Sequence, residues 1–364
     1  MAEPVKITSG SLSVEAARLA VPSESAVQMF RDELPRLLKT VEDKFAIDER
    51  YECGAIPCEQ LEFALQGNRG FGRTLLGIFE AGLMELLPRE FRSHAAALRS
   101  RGAEPGFFRT MLRAWIGTIH ATITDPEAEE LALPLEWLGK NLEQLLAEVG
   151  RPVSELTAEQ SGILGLLLAH RRRDAADFAL KALKGSDVEA VLGGLVLPVL
   201  HHVGLLWQAN ELTVAQEHAA TEICRYVVFR VFDSMPRARA LPHKALVVCA
   251  PEEEHELGAE MMAGYLELHG WDVLFVGRSA PMDDILRTAE TVKPNLVMIS
   301  VTIVANLPAA RLLARELKRR LSEVRLVAGG SAAVACRRVL ETEVDAVAAD
   351  IEEGYRAAVR LAGS

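Results

Sequence analysis

The chain has 364 residues, enough for two or three domains with separate cores. Its 40 Lys and Arg against 51 Asp and Glu give a formal net charge of −11, which disfavours a broad nucleic-acid-binding face. Five scattered cysteines do not suggest a disulfide framework, no signal peptide opens the chain and no apolar run is expected to span a bilayer, so a cytoplasmic protein without a membrane role is predicted.

Residues 1–24 lack a sustained apolar period and read as a flexible leader. Residues 25–150 read as an all-α domain. Phe30, Leu34, Leu37, Leu38, Val41 and Phe45 share one helix face. Leu75, Leu76, Phe79, Leu83 and Leu86 share another, in a run that Pro88 is expected to end. Further helices are expected from Phe107 to Ile119 and from Leu135 to Val149, with a linker at Gly150-Arg151-Pro152.

Residues 151–236 read as a four-helix bundle, broken at Gly185-Ser186-Asp187, where Asp187 suits an N-cap, and at Gln208-Ala209-Asn210. After a second linker, Pro236 to His243, the period changes. Over 243–364, β-rich runs at Ala245–Cys249, Asp272–Val276, Leu296–Ser300, Arg325–Ala328 and Asp345–Ala348 alternate with amphipathic helical stretches. That alternation predicts a doubly wound parallel α/β domain, whose ligands gather beyond the carboxyl ends of the strands.

Three features fall at those ends: Glu253-Glu254-His255-Glu256-Leu257-Gly258, then Ser300-Val301-Thr302, then Gly329-Gly330. In order and spacing they resemble the cobalamin-binding signature D-x-H-x-x-G, S-x-L or S-x-T, and G-G, with Glu253 in place of the more usual Asp. A neutral imidazole ligates cobalt well, so His255 is the expected lower axial ligand, with Glu253 accepting its second N–H. Ser300 and Thr302 would meet the displaced benzimidazole tail. Gly258, Gly329 and Gly330 would let it pass without meeting a Cβ. Taken alone, His255 reads better as a solvated loop histidine; the three features in register reverse that.

Upstream, Trp207 is followed after nine residues by Glu217-His218. This W-x9-E-H pattern resembles the helical bundle of CarH-type cobalamin photoreceptors, and with the α/β domain the resemblance spans about residues 157–360. It implies adenosylcobalamin as the cofactor, Trp207 over the adenosyl group, Glu217 on a ribose hydroxyl and His218 beside it. It also implies a light sensor rather than an enzyme, a homo-oligomer (a dimer) whose assembly responds to light, and a downstream protein partner. A methyl-carrying corrinoid protein shares the layout and is the alternative, although a methyl ligand needs no such cap. One departure stands out. CarH-type proteins carry His directly after the cap Trp; here that residue is Gln208.

In place of the small DNA-binding module of CarH-type repressors, residues 25–150 form a longer, more apolar helical region that looks globin-like. A globin-like domain ahead of a CarH-like one resembles photocobilins, which pair cobalamin with biliverdin. The resemblance makes Arg69, Arg73, His94 and His120 candidate bilin-binding residues and Cys53 and Cys58 candidate tethers. Each also reads as plain surface or core. Haem is less well matched, because the position one turn before Gly102 is Leu98, with His94 a further turn back. An interaction module without a chromophore is the remaining reading of this region.

Overall fold

The computed structural model describes residues 10–48, 60–149 and 155–363. They form two compact units, residues 1–153 with 208–210, and residues 154–207 with 211–364.

The first unit is helical: α1 (Gly10–Ala16), α2 (Glu24–Asp48), α3 (Leu61–Ala81), α4 (Leu87–Arg99), α5 (Pro105–Thr122), α6 (Glu127–Lys140) and α7 (Leu142–Ala147). Its core is aromatic, with Phe30, Phe79, Phe91, Phe107, Phe108 and Trp115 all buried. Trp115 seats against Gly72, where a Cβ would stand 2.5 Å from the indole ring, and its Nε1–H donates to Asn68 Oδ1 at 2.7 Å. Three expectations change here. The flexible leader is in part a helix, since α1 buries Leu12 and Ala16 completely. Pro88 does not end the third helix but opens α4 in its first turn, where its missing N–H costs nothing. That third helix stops instead at Gly82, whose φ of 63° reverses the chain and lets the N–H groups of Gly82 and Leu83 close on Phe79 and Ile78. Finally, the run expected from Leu135 begins at Glu127 and divides at Asn141.

In the second unit, α8 (Ala158–Leu168), α9 (Arg172–Leu183), α10 (Leu197–Gln208) and α11 (Val214–Asp233) make the bundle. Thr157 and Thr213 each open a helix through a reciprocal capping box with a glutamine. Asp187 Oδ1 accepts the Ala190 N–H at 2.8 Å, so the expected cap forms. It leads into a π-helical stretch, Ala190–Val196, that runs on into α10. Together Ala190–Gln208 are long and apolar enough to cross a membrane by length and composition, contrary to the expectation that no run would be. Here Val191, Leu192, Leu195, Val196, Val199 and Val203 of this stretch are buried in the unit's core.

The rest of the unit alternates strand and helix: β1 (Lys244–Cys249), α12 (Leu257–Leu268), β2 (Asp272–Val276), α13 (Met282–Val292), β3 (Leu296–Ser300), α14 (Leu307–Arg320), β4 (Arg325–Gly329), α15 (Ser331–Ala335), α16 (Arg337–Leu340), β5 (Ala346–Ala348) and α17 (Ile351–Ala362). The sheet is parallel in the order β2-β1-β3-β4-β5. Buried apolar runs such as Leu246, Val247 and Val248 are what a strand covered on both faces requires. Chain direction across the sheet reverses between β1 and β3, so the crevice for a ligand opens at their carboxyl ends.

Candidate cobalamin site

Register brings the three sequence features together at that crevice. Cys249 pairs with Ser300 and Ser300 with Gly329, so the loops after β1, β3 and β4 leave the sheet side by side. Leaving β1, the chain turns at once: the Glu253 N–H bonds Ala250 O at 3.0 Å, Pro251 follows at the second position, and Glu252 takes φ 67° at the third. That is the pattern of a type II turn with a non-glycine where glycine is favoured, a conformation costing about 1 kcal/mol. It drives the Glu253 side chain inward to complete burial.

The hydrogen bonds of that carboxylate tie the two loops together. Oε1 accepts the ring Nδ1–H of His255 at 2.6 Å and the His255 backbone N–H at 3.1 Å. Oε2 accepts the N–H groups of Thr302 at 2.8 Å and Ile303 at 3.3 Å, and the Asn306 amide at 3.1 Å. The extra methylene of Glu relative to Asp thus lets one carboxylate span from the β1 loop to the β3 loop. Burial acts to raise the Glu253 pKa, but the hydrogen bonds from His255, Thr302 and Asn306 outweigh it and hold the group below the usual carboxylate range. The bond from Glu253 raises the His255 pKa, against its burial, and the charges of Glu253, Glu217 and Glu254 add to the rise. With Nδ1 engaged and the side chain 58% exposed, Nε2 is the nitrogen left for an axial metal ligand.

The glycines separate into two kinds. Gly330 is required by the protein itself: φ is 99°, and a Cβ would lie 2.4 Å from Val301 O. Gly258 has no such reason. It is exposed near the start of α12, and a Cβ there would meet nothing within 4 Å. At Gly329 the nearest atom would be Ala348 O at 3.8 Å. Open space at Gly258, three residues from an oriented imidazole, is what a cobalamin tail requires, and the residues fit that group.

The predicted cap lies on two bundle helices. Trp207, at the end of α10, is half-buried against the unit's core. Glu217, in the first turn of α11, accepts the Thr221 hydroxyl at 2.8 Å and meets His218 Nδ1 at 2.5 Å, while His218 stays 70% exposed. The charge of Glu217 adds to the rise of the His255 pKa. Sequence reasoning missed Asn306 and the Thr302 and Ile303 amides. The available signal was a lone Asn in an apolar run six residues after Ser300.

The four bilin candidates have dissimilar surroundings. Arg69 is exposed and paired with Glu42, and His120 is exposed 3.7 Å from Asp125. Arg73 is half-buried, which lowers its pKa. His94 stacks on Phe71 with ring centroids 5.3 Å apart, and its Nε2 is buried without a partner; burial pulls its pKa down to about 4. Cys53 and Cys58 lie outside the described residues.

The fold and site thus define a corrinoid-binding module, a helical bundle followed by a five-stranded parallel α/β domain. Two family profiles, each described as a B12 binding domain, match residues 160–231 and 243–361, and the cofactor is a cobalamin. Among curated proteins, the HTH-type transcriptional repressors CarA and CarH of Myxococcus xanthus are similar to this chain. CarA is 32% identical over 31% of this chain and 38% of its own length. CarH is 33% identical over 29% and 35%. The match therefore spans little more than a third of either repressor. Dimethylamine corrinoid protein 1 of Methanosarcina acetivorans is 23% identical over 44% of this chain and 78% of its own. Among solved structures, the monomethylamine corrinoid protein of Methanosarcina barkeri aligns with a TM-score of 0.48 at 16% identity, covering 56% of this chain and 97% of that one. The module is CarH-like and cobalamin-binding.

Proposed function

We propose that the chain is a light sensor that binds adenosylcobalamin through the second unit, with His255 as the lower axial ligand. The observation that carries the reading is the W-x9-E-H pattern of Trp207, Glu217 and His218, set on α10 and α11 of a bundle that shares one hydrophobic core with the α/β domain. When bound, adenosylcobalamin supplies a cobalt–carbon bond that visible light can break. The protein's part is to bind, orient and respond. Glu253 fixes the tautomer and direction of the His255 ring, Ser300 and Thr302 border the tail, and Gly258, Gly329 and Gly330 leave it room. Trp207 and Glu217 would cover the bound group from the bundle side, and loss of that contact would leave the bundle able to shift, a rigid-body change of the sort that remakes interfaces. On this reading the output is a light-dependent change in assembly, read by a downstream protein. The first unit binds biliverdin or serves as an interaction module, and the enclosed, unpartnered Nε2 of His94 favours a bound group there.

The test is dark loading followed by light. Absorption spectra and light-scattering mass are taken before and after green and red illumination. Photolysis of bound adenosylcobalamin with a change in mass supports the sensor, and a red band supports the bilin. Equal affinity for adenosyl- and methylcobalamin, with no structural response to photolysis, would instead favour a methyl-carrying corrinoid protein; the Methanosarcina acetivorans relative is by name a corrinoid protein.

A further inference from the structure

One face of α11 carries, at successive helical turns, Glu217, Thr221 and Arg225, with Phe232 two turns beyond. The first pair is internally tied, Thr221 Oγ1 donating to Glu217 Oε1 at 2.8 Å. Arg225 reaches off the helix. Its Nη2 donates to Glu256 Oε1 at 2.7 Å and its Nη1 to Glu260 Oε2 at 2.5 Å, while Nε stands 3.4 Å from Glu222. Glu256 is the residue next to His255, and its other oxygen accepts the Arg278 N–H at 3.0 Å. The side chains of Arg225, Glu256 and Glu260 are only 26%, 15% and 30% exposed, so this is a partly desolvated bridge rather than a surface ion pair. Further along, Phe232 packs so closely on α12 that a Cβ at Gly264 would fall 2.7 Å from its ring.

Phe232 presses the two helices together, but flat packing permits sliding. A planar guanidinium forked between two carboxylates one helical turn apart does not, because only one register satisfies both. We propose that Arg225 is a positioning residue: it registers α11 on α12 and thereby fixes where Glu217, two turns earlier on α11, stands relative to the loop that carries His255. Its consequence is selectivity for the upper ligand rather than cobalamin binding as such. The residues of the lower face (Glu253, His255, Gly258, Ser300, Gly329, Gly330) all sit on the α/β domain and keep their places without Arg225. This inference rests on the cap reading given above.

The experiment uses the full chain in the dark. Wild type, Arg225→Met, Arg225→Lys and Glu260→Gln are each titrated with adenosylcobalamin and with methylcobalamin, and each is melted as apoprotein. The wild type prefers adenosylcobalamin. Arg225→Met loses that preference by about tenfold, a coupling of ordinary size between two sites, while its methylcobalamin affinity stays within about twofold. Arg225→Lys recovers only part, because an ammonium lacks the fork. Glu260→Gln breaks one prong without removing the cation, and shifts the same ratio in the same direction should Arg225→Met fail to fold. Equal losses for both cobalamins, or an unchanged ratio in the folded variants, would overturn the assignment. A wild type without adenosyl preference would overturn the cap reading itself, an outcome visible before any variant is measured.

Discussion

Gly258 offers the sharpest separation of protein stability from cofactor binding. It is the second residue of α12, and a Cβ built there meets no protein atom within 4 Å. A helical glycine is less stable than alanine by up to about 1 kcal/mol, so Gly258→Ala should stabilise the apoprotein by about 0.5–1 kcal/mol, or roughly 1–4 °C in melting temperature. Gly258→Leu should also fold, since its side chain enters open space. Cobalamin affinity should move the other way. An inserted side chain in a packed channel costs about 1–3 kcal/mol, which in the dissociation constant is a loss of roughly 5- to 150-fold for the leucine variant. Gly330→Ala is the control: with φ at 99° and a Cβ 2.4 Å from Val301 O, it should destabilise the apoprotein as well. Paired calorimetric melts and cobalamin titrations read both quantities. A folded Gly258→Leu protein that binds cobalamin as tightly as wild type would refute the claim that the tail passes this glycine.

Acid should expose the buried carboxylate. The pKa of Glu253 is depressed in the fold, so its contribution to stability is present above about pH 4.5, the unfolded value, and is lost as pH falls through the native one. In urea unfolding of the apoproteins, the gap between wild type and Glu253→Gln should therefore narrow below pH 4.5; a gap independent of pH contradicts this. His94, pulled down to about 4 by burial, should make the first unit lose stability as pH falls from 6.5 towards 4, because the unfolded chain takes up the proton first. His94→Phe, which keeps the stack on Phe71, should remove that slope, and an unchanged slope places the sensitivity elsewhere. After illumination the wild type should carry one protein nitrogen on cobalt, since the Gln208 amide is a poor ligand. Gln208→His should gain a second by magnetic resonance, and a second nitrogen already present in wild type would contradict the reading.

The inner strands β1, β3 and β4 were legible because strands covered on both faces are dense in Val, Ile, Leu and Ala, and all five strands begin and end within a residue of their expected limits. The Glu253–His255 pair was legible because its chemistry is local: two residues apart, one loop, one bond. What local pattern could not show was partnership across the fold. Asn306 looks like an ordinary polar residue until β1 and β3 are placed in register and its amide meets a carboxylate from the other loop. Arg225 is likewise one arginine of many until α11 lies on α12. In the first unit the misplaced helix ends share one cause, the assumption that proline and apolar spacing fix them. Pro88 is compatible with a first turn as well as with a stop, and Gly82 supplied the left-handed residue that decided between them. The helix α1 escaped notice because it is only seven residues long, too short for its period to register.

The central claim is that His255 ligates the cobalt of a bound cobalamin, and nuclear spin reports on it directly. Protein labelled with nitrogen-15 histidine, loaded with cobalamin and reduced to the Co(II) state, should show a two-line superhyperfine splitting where unlabelled protein shows three lines. In His255→Ala the protein-derived splitting should disappear. A three-line pattern that persists in the labelled protein would mean that the cofactor's own benzimidazole is still bound, and would contradict the account.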